Sequence, residues 1–193
     1  MGLERVCVYC GSSDAIRAEY IEAARAMGGE LARRGLTLVF GGGRTGMMGA
    51  LADAALEAGG TVIGIIPKGF NTPELAHAHL SELRVVVSMH ERKARMAEMG
   101  DAFVALPGGF GTLEELFEML TWAQIGLHQQ PVGLLNAQRY FDPLLTMIEQ
   151  ARAEGFIYDE HRALLLCEEQ PAVLLDRMAE YLPPPGLGRW LRR

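Results

Sequence analysis

A glycine-rich turn stands directly before a carboxylate in the segment Pro107-Gly-Gly-Phe-Gly-Thr-Leu-Glu-Glu115. The apolar run before it predicts a strand over 101–106, and the amphipathic run after it predicts a helix to about residue 128. Glycines at a helix N-terminus leave backbone N–H groups open at the positive end of the helix dipole, which favours a bound phosphate. An acid beside a phosphate site, here Glu115, indicates chemistry on the sugar that carries the phosphate. The expected phosphate ligands are the N–H groups of Gly108, Gly109 and Gly111.

Two adjacent cations, Arg92 and Lys93, lie in the first turns of another predicted helix, over 89–99. Positive charges there oppose the helix dipole, so we expect an anionic ligand to compensate them; a solvated charged face is the alternative. Ser88 and Glu91 have the spacing of a capping box, which explains Glu91 without a ligand. The side of this helix that we expect to face the core carries Met89, Met96 and Met99.

Glu115 has a structural alternative of the same kind, because Thr112 and Glu115 also have capping-box spacing. A phosphate at the helix N-terminus would compete for the N–H groups that a cap uses, and it would leave both side chains facing the ligand. Local spacing leaves the two interpretations open, and the glycine loop favours the ligand. Glu114 points about one helical step away and either assists at the ligand or is solvated.

The elements that position these residues alternate between short apolar strands and amphipathic helices. Strands that are apolar on both faces and alternate with helices are typical of a parallel sheet covered on both sides. The sequence therefore predicts an α/β fold, a doubly wound, mostly parallel, Rossmann-like sheet with helices on both faces. We expect one domain over residues 1–182 and a C-terminal tail over 183–193. The predicted strands cover residues 6–10, 36–40, 61–66, 83–87, 101–106 and 131–135.

Loops of small residues follow three predicted strands, at 11–13, 41–46 and 108–112. Parallel strands end at one edge of a sheet, so we expect these loops to form one polar crevice of nucleotide size. The second loop matches G-x-G-x-x-G, but it follows the second strand and no acid ends the next one, which disfavours NAD. The G-K-[ST] of a P-loop is absent, which excludes ATP hydrolysis of that type. Further substrate contacts are expected from Ser12, Gly42 and Gly43.

Composition disfavours several classes of function. The net charge of -6 and a pI near 5.4 argue against nucleic acid, which requires a basic face. The chain has no run of 18 apolar residues and no signal-peptide pattern, so we expect no membrane contact and a cytoplasmic location. Three cysteines indicate reduced thiols, and Cys7 and Cys10 are expected to face opposite sides of one strand. His77 and His79 have no third ligand at metal spacing, so we expect no metal. We also expect no cofactor.

Two motifs together resemble the LOG family, the cytokinin riboside 5′-monophosphate phosphoribohydrolases. Residues 107–115 match the pattern P-G-G-x-G-T-x-x-E at every fixed position, and Met89-His-Glu-Arg-Lys-Ala-Arg-Met96 matches the second motif. Residues 8–13 and 39–49 are also similar to the first two loops of the family, so the resemblance covers about residues 5–180. It implies hydrolysis of the N-glycosidic bond of a purine nucleoside 5′-monophosphate to free base and ribose 5-phosphate. It also implies a homodimer, or a higher assembly, with sites near the subunit interface.

The resemblance assigns roles to individual residues. It implies catalytic roles for Arg92 and Glu115, and a position near the base for Glu74. The segments around Glu74 and Arg44 differ from the family pattern, which leaves open whether the base is adenine or an N6-substituted adenine. The implied nucleotide contacts are Lys93, Gly109, Gly111, Thr112 and Thr121.

Other functions stay open at this point. Family members have often carried a lysine decarboxylase label, but a pyridoxal phosphate enzyme needs a Schiff-base lysine and the chain has only Lys68 and Lys93. A nucleotide-binding or carrier module without catalysis could use the same sheet, although pure binding needs neither Glu115 nor its pairing with Arg92. Hydrolysis of another phosphoribosyl compound is a further alternative.

Overall fold

The computed structural model of the chain describes residues 2–187, which form a central sheet flanked by helices. The strands are β1 (Arg5–Tyr9), β2 (Thr37–Phe40), β3 (Val62–Pro67), β4 (Glu82–Val86), β5 (Ala102–Ala105), β6 (Val132–Leu135) and β7 (Leu165–Glu168). The α-helices are α1 (Ala18–Arg33), α2 (Gly46–Glu57), α3 (Met89–Met99), α4 (Phe110–Ile125), α5 (Asp142–Ala153) and α6 (Pro171–Ala179). Short 3₁₀ helices span Lys68–Phe70, Ala137–Arg139 and Asp159–Leu164. No helix within residues 2–187 is long and apolar enough to cross a membrane.

The strands are all parallel and lie in the order β4-β3-β2-β1-β5-β6-β7. The chain builds outward from β1 to β4 in one direction and from β5 to β7 in the other, so the winding reverses between β1 and β5. At this point Val8 lies opposite Phe40 of β2, and Tyr9 lies opposite Ala105 of β5. Ligands of such sheets bind outside the carboxyl ends of the strands at the reversal. The predicted doubly wound, Rossmann-like fold is confirmed.

One strand and one helix end differ from the sequence expectation by more than a residue or two. The edge strand β7 is not among the six predicted strands; it has four residues, of which only Leu166 is buried, and so short an apolar run does not distinguish a strand from a helix. Helix α4 ends at Ile125 and not near 128, because Gly126 takes a left-handed φ of 83° and terminates it. The division at residue 182 stays a prediction, and residues 188–193 of the expected tail lie outside the described residues.

Alternate side chains of the strands enter two apolar cores, one on each face of the sheet. Helices α1, α2 and α6 cover the core that contains Val6 and Val8, and α3, α4 and α5 cover the core that contains Cys7 and Tyr9. Cys10 packs against the first of these cores, so the two cysteines face opposite sides as predicted. Burial raises the pKa of the Cys7 thiol to about 12, which suppresses the reactive thiolate and disfavours a redox role.

Helices α1 and α2 approach each other closely at Gly28. A methyl group on this residue would lie 2.2 Å from the carbonyl oxygen of Leu51 and 3.1 Å from the amide nitrogen of Ala55. The absence of a side chain therefore sets the distance between the two helices, and with it the position of the loop that enters α2. Gly29, the next residue of α1, faces open space at the corresponding point.

We predict opposite effects on stability for these adjacent glycines. Gly28→Ala should lower the free energy of unfolding by about 1–3 kcal/mol, because α1 and α2 must separate to admit the methyl group. Gly29→Ala should raise it by up to about 1 kcal/mol, because alanine is the better helix former. Denaturant unfolding of the two variants measures both changes. Equal destabilisation by the two substitutions would contradict the close packing at Gly28.

Candidate active site

A cleft of about 640 Å³ opens at the carboxyl edge of the sheet. All three glycine loops line it, with residues 11–13 after β1, residues 41, 43 and 45 after β2, and residues 107–112 after β5. Arg92 of α3 and Glu115 of α4 also reach the cleft. The structure thus brings the two catalytic candidates together with six of the expected substrate contacts, namely Ser12, Gly43, Gly108, Gly109, Gly111 and Thr112.

Arg92 and Glu115 form an ion pair inside the cleft, with 3.3 Å between Nη2 and Oε1. The Arg92 and Glu115 side chains are only 15% and 11% exposed to solvent. Burial raises the pKa of the Glu115 carboxyl to about 7, and the guanidinium of Arg92 opposes this rise. A carboxyl group with a pKa near neutrality exchanges protons readily at physiological pH, as a general acid or base requires.

The protein provides hydrogen-bond acceptors for only some of the N–H groups of the Arg92 guanidinium. Nη1 donates to the sulfur of Met89 at 3.1 Å, while Nε is buried and has no partner among the described residues. A buried donor without an acceptor costs about 1–3 kcal/mol, which a ligand oxygen would recover. Gly41 leaves room for the group, since a methyl on this residue would lie 2.1 Å from Nη2.

The N-terminus of α4 opens on the same cleft and has no side-chain cap. The helix begins at Phe110 with Gly109 in the N-cap position, so the capping-box interpretation of Thr112 and Glu115 is wrong. Within the described part of the chain, the N–H groups of Phe110, Gly111 and Thr112 have no acceptor. They direct the positive end of the helix dipole at the cleft, as a phosphate site requires.

The first N–H groups of α2 and α3 are in part paired within the protein, unlike those of α4. At α2, the N–H of Gly46 donates to Oδ1 of Asp14 at 2.8 Å. At α3, the N–H of Glu91 donates to Oγ of Ser88 at 3.2 Å, and the Glu91 carboxylate accepts from the N–H of Val87 at 2.9 Å. The capping role predicted for Glu91 is confirmed. An anion in the cleft therefore finds its free backbone donors at α4.

Several expected substrate contacts lie away from the cleft. Lys93 forms ion pairs with Glu114 and with Glu118, the second at 3.0 Å from Nζ to Oε1. Carboxylates of α4 thus compensate this cation, and neither Lys93 nor Glu114 lines the cleft. The other expected contacts outside the cleft lining are Gly42, which is buried, and Glu74 and Thr121, which are exposed.

Apolar side chains line much of the cleft, and no motif in the sequence marks them as site residues. Met89, expected in the core, is 39% exposed and lines the cleft, because it is the first residue of α3 after the carboxyl end of β4. Met96 and Met99 are buried as predicted. The position of the apolar cleft residues could have been predicted from the sequence, because most of them stand in loops or first helical turns that directly follow strands. The others include Ile16, Tyr20, Met48, Ile66, Phe70, Leu75, Phe110 and Tyr140.

The histidine pair in the loop before β4 has a structural role. His77 is buried, with Nε2 at 3.0 Å from Oδ1 of Asp53, and its Nδ1 accepts the N–H of His79 at 3.2 Å. Across residues 2–187, no group of three or more His, Cys, Asp or Glu side chains is arranged to hold a metal ion.

The fold and the cleft define a class, Rossmann-like α/β proteins with an open helix N-terminus beside a buried Arg–Glu pair. The model of a family described as "Possible lysine decarboxylase" matches residues 48–178. The chain is 47% identical over 184 residues to the cytokinin riboside 5′-monophosphate phosphoribohydrolase LOG of Oryza sativa subsp. japonica, covering 95% of this chain and 76% of that protein. It is 47% identical over 179 residues to LOG3 of Arabidopsis thaliana, a protein of the same name, covering 93% and 83%. The chain therefore belongs to the LOG family.

More distant solved structures share the fold. The molybdenum cofactor binding protein of Rippkaea orientalis superimposes with a TM-score of 0.67 at 24% identity, covering 88% of this chain and 91% of that one. The molybdenum cofactor carrier protein of Chlamydomonas reinhardtii gives a TM-score of 0.66 at 22% identity over the same shares. Likeness at this identity concerns the fold alone.

We predict that the carboxyl of Glu115 titrates near pH 7 in the free protein, because burial disfavours its ionised form. Arg92→Ala should raise this pKa further, because it removes the cation that opposes the effect of burial. Carbon-13 NMR of labelled glutamate side chains measures the titration. Glu30 is the internal reference, since hydrogen bonds from Arg33 lower its pKa to about 2. A Glu115 pKa near the ordinary value of about 4.3 would contradict the burial argument.

Proposed function

We propose that the protein hydrolyses the N-glycosidic bond of a purine nucleoside 5′-monophosphate, a cytokinin riboside or adenosine 5′-monophosphate, to free base and ribose 5-phosphate. The observation that carries this proposal is the buried Arg92–Glu115 pair, 3.3 Å apart, beside the uncapped N-terminus of α4. A phosphate at that helix brings its ribose next to a carboxylate. The names of the relatives at 47% identity support the same reaction.

The proposed mechanism assigns binding to the backbone and charge stabilisation to Glu115. The 5′-phosphate accepts hydrogen bonds from the free N–H groups at the start of α4. The bond between C1′ and N9 breaks, its electron pair leaves with the base, and positive charge develops on the ribose. The ionised carboxylate of Glu115 stabilises this charge. A water oxygen then bonds to C1′ and releases a proton, which Glu115 accepts and which finally protonates the departed base.

Arg92 has two tasks in this mechanism. Its charge lowers the pKa of Glu115, which increases the ionised fraction of the carboxylate at neutral pH. Its guanidinium lines the cleft and donates to an oxygen of the phosphate or the ribose, which fixes the sugar over the carboxylate.

We propose no cofactor for this reaction. A pyridoxal phosphate enzyme would need a lysine amine in the cleft. Lys93 is held by Glu114 and Glu118, and Lys68 is exposed on a 3₁₀ helix; neither lines the cleft. The lysine decarboxylase description of the family model therefore has no support from the lysines of this chain.

We also propose that the protein is a cytoplasmic homodimer. The α3–α4 side of the molecule exposes large apolar side chains that a second copy would cover, and Phe110 and Val87 are 94% and 89% exposed. Phe117, on α4, is 43% exposed on the same side. Phe110 also lines the cleft, so such a dimer would place its sites near the interface. The three free cysteines are consistent with a reducing compartment.

The direct test is incubation of the purified protein with AMP, N6-isopentenyl-AMP and unphosphorylated adenosine, followed by chromatography of the free bases. We expect release from the 5′-monophosphates and little from adenosine, because the phosphate supplies the binding energy that orients the ribose. Glu115→Gln should lower kcat by about 100-fold or more. The matched control is Glu114→Gln, a neighbouring acid outside the cleft, which should stay within about threefold of the wild type. Tight AMP binding without base release would instead indicate a carrier.

We predict that Gly41→Ala lowers the rate of base release by about tenfold or more while the fold is retained. The added methyl displaces the end of the flexible Arg92 side chain, which lies 2.1 Å from the methyl position, and breaks its alignment with Glu115. Gly29→Ala adds a methyl in open space and is the control. Circular dichroism and turnover of both variants separate a loss of alignment from a loss of fold. Wild-type turnover in Gly41→Ala would show that the position of Arg92 is not critical.

A further inference from the structure

The loop before β4 is attached along the glycine loop that follows β2. Residues 71–77, here called the strap, form a short antiparallel bridge in which Ala76 pairs with Gly43. The N–H of Arg44 donates to the carbonyl of Leu75 at 2.9 Å, and the N–H of His77 donates to the carbonyl of Gly42 at 2.9 Å. Two backbone hydrogen bonds thus hold the second half of the strap.

A side chain holds its first half. Nη1 of Arg44 donates to the carbonyl oxygen of Pro73 at 2.8 Å, across a separation of 29 residues in sequence. Arg44 is exposed and does not line the cleft, so its guanidinium is directed at the strap and not at a ligand. The two segments that depart from the family pattern, around residues 44 and 72–77, are therefore in contact with each other.

The strap carries part of the apolar wall of the cleft. Leu75 lies in it, Phe70 directly precedes it, and Met48 and Met89 complete the wall from α2 and α3. Leu75 and Phe70 are 41% and 51% exposed, so no core packing fixes their positions. The wall is accordingly held by the attachment of the strap to the loop after β2, in which the Arg44 side chain fixes the first half and backbone hydrogen bonds fix the second.

The division of the cleft indicates which part of a nucleotide meets this wall. The free N–H groups at α4 and the Arg92–Glu115 pair serve the phosphate and the ribose. The base is the apolar part of a nucleotide, and an apolar wall suits it and no other part. We infer that Arg44 is a specificity-determining positioning residue, which sets the place of the base-contacting wall through the strap; this inference rests on the proposed function.

The test compares kcat/KM for AMP and for N6-isopentenyl-AMP in the wild type and in Arg44→Ala. Release of the strap leaves a wider base site, and bare adenine has no N6 substituent to fill the added space. We expect the ratio of the AMP value to the N6-isopentenyl-AMP value to fall by about threefold or more, mainly through KM. Arg44→Lys keeps a donor for Pro73 and should recover at least half of the lost discrimination.

Two controls distinguish an effect of Arg44 through the strap from a general effect of a positive charge at the surface. Arg25→Ala removes an exposed arginine paired with Glu57 and should leave the ratio unchanged. Inhibition by ribose 5-phosphate, which has no base, should be the same in the wild type and in Arg44→Ala. A parallel loss for both nucleotides with weaker inhibition by ribose 5-phosphate would show that Arg44 attracts the phosphate by charge. That result, or an unchanged ratio, would overturn the inference.

Failure of the proposed function is visible separately, because the wild type would then release no base from either nucleotide. In that case calorimetric affinities for AMP and N6-isopentenyl-AMP replace kcat/KM. The same fall in their ratio on Arg44→Ala would support the strap, and an unchanged ratio would overturn it.

Discussion

Burial of the ion pair between Arg92 and Glu115 is the constraint on which the rest of this site depends. Removal of two charged side chains from water is costly, and one hydrogen-bond donor of the guanidinium has no partner in the described residues. The fold supports that cost because α3 and α4 are anchored in the core by Met96, Met99 and Leu116. Gly41, which has no side chain, lets the guanidinium reach its partner.

Helices α2, α3 and α4 all begin with residues that line the cleft, and they differ in how their first N–H groups are paired. At α3 the hydroxyl of Ser88 accepts one N–H, and at α2 the carboxylate of Asp14, from another loop, accepts one N–H. At α4 the N-cap residue is Gly109, although a Ser, Thr, Asp or Asn there would stabilise the helix by about 1 kcal/mol. An uncapped helix N-terminus beside a buried cation and a buried acid is suited to bind an anion. A glycine loop that served only as a tight turn would need none of these groups.

The fold and the polar groups of this site can be predicted from the sequence more easily than the apolar side chains that line it. The strands before the three glycine loops are apolar on both faces, so they predict a parallel sheet and a common edge for the loops. Capping-box spacing corresponds to a real cap at Ser88 and Glu91 but not at Thr112 and Glu115, where the sequence left the question open. Helix α4 begins earlier, with Gly109 as its N-cap residue. The partner of Lys93 lies 21 or more residues away on another helix, and no local pattern contains it. The contact of Arg44 with Pro73 likewise joins residues that are distant in sequence, so no local pattern predicts it.

The parts of the site belong to different sections of the chain, and this separates chemistry from selectivity. The acid, the arginine and the open helix terminus come from α3, α4 and the loop after β5, where each position is fixed by the core or by a close approach. The apolar wall comes from the connection between β3 and β4, which is held to the loop after β2 by a few hydrogen bonds. A substitution in that connection alters the space beside the base without moving the ion pair, because the strap shares no hydrogen bond with either member of the pair among the described residues. A change of base preference would therefore need no change in the groups that we propose to act on the glycosidic bond.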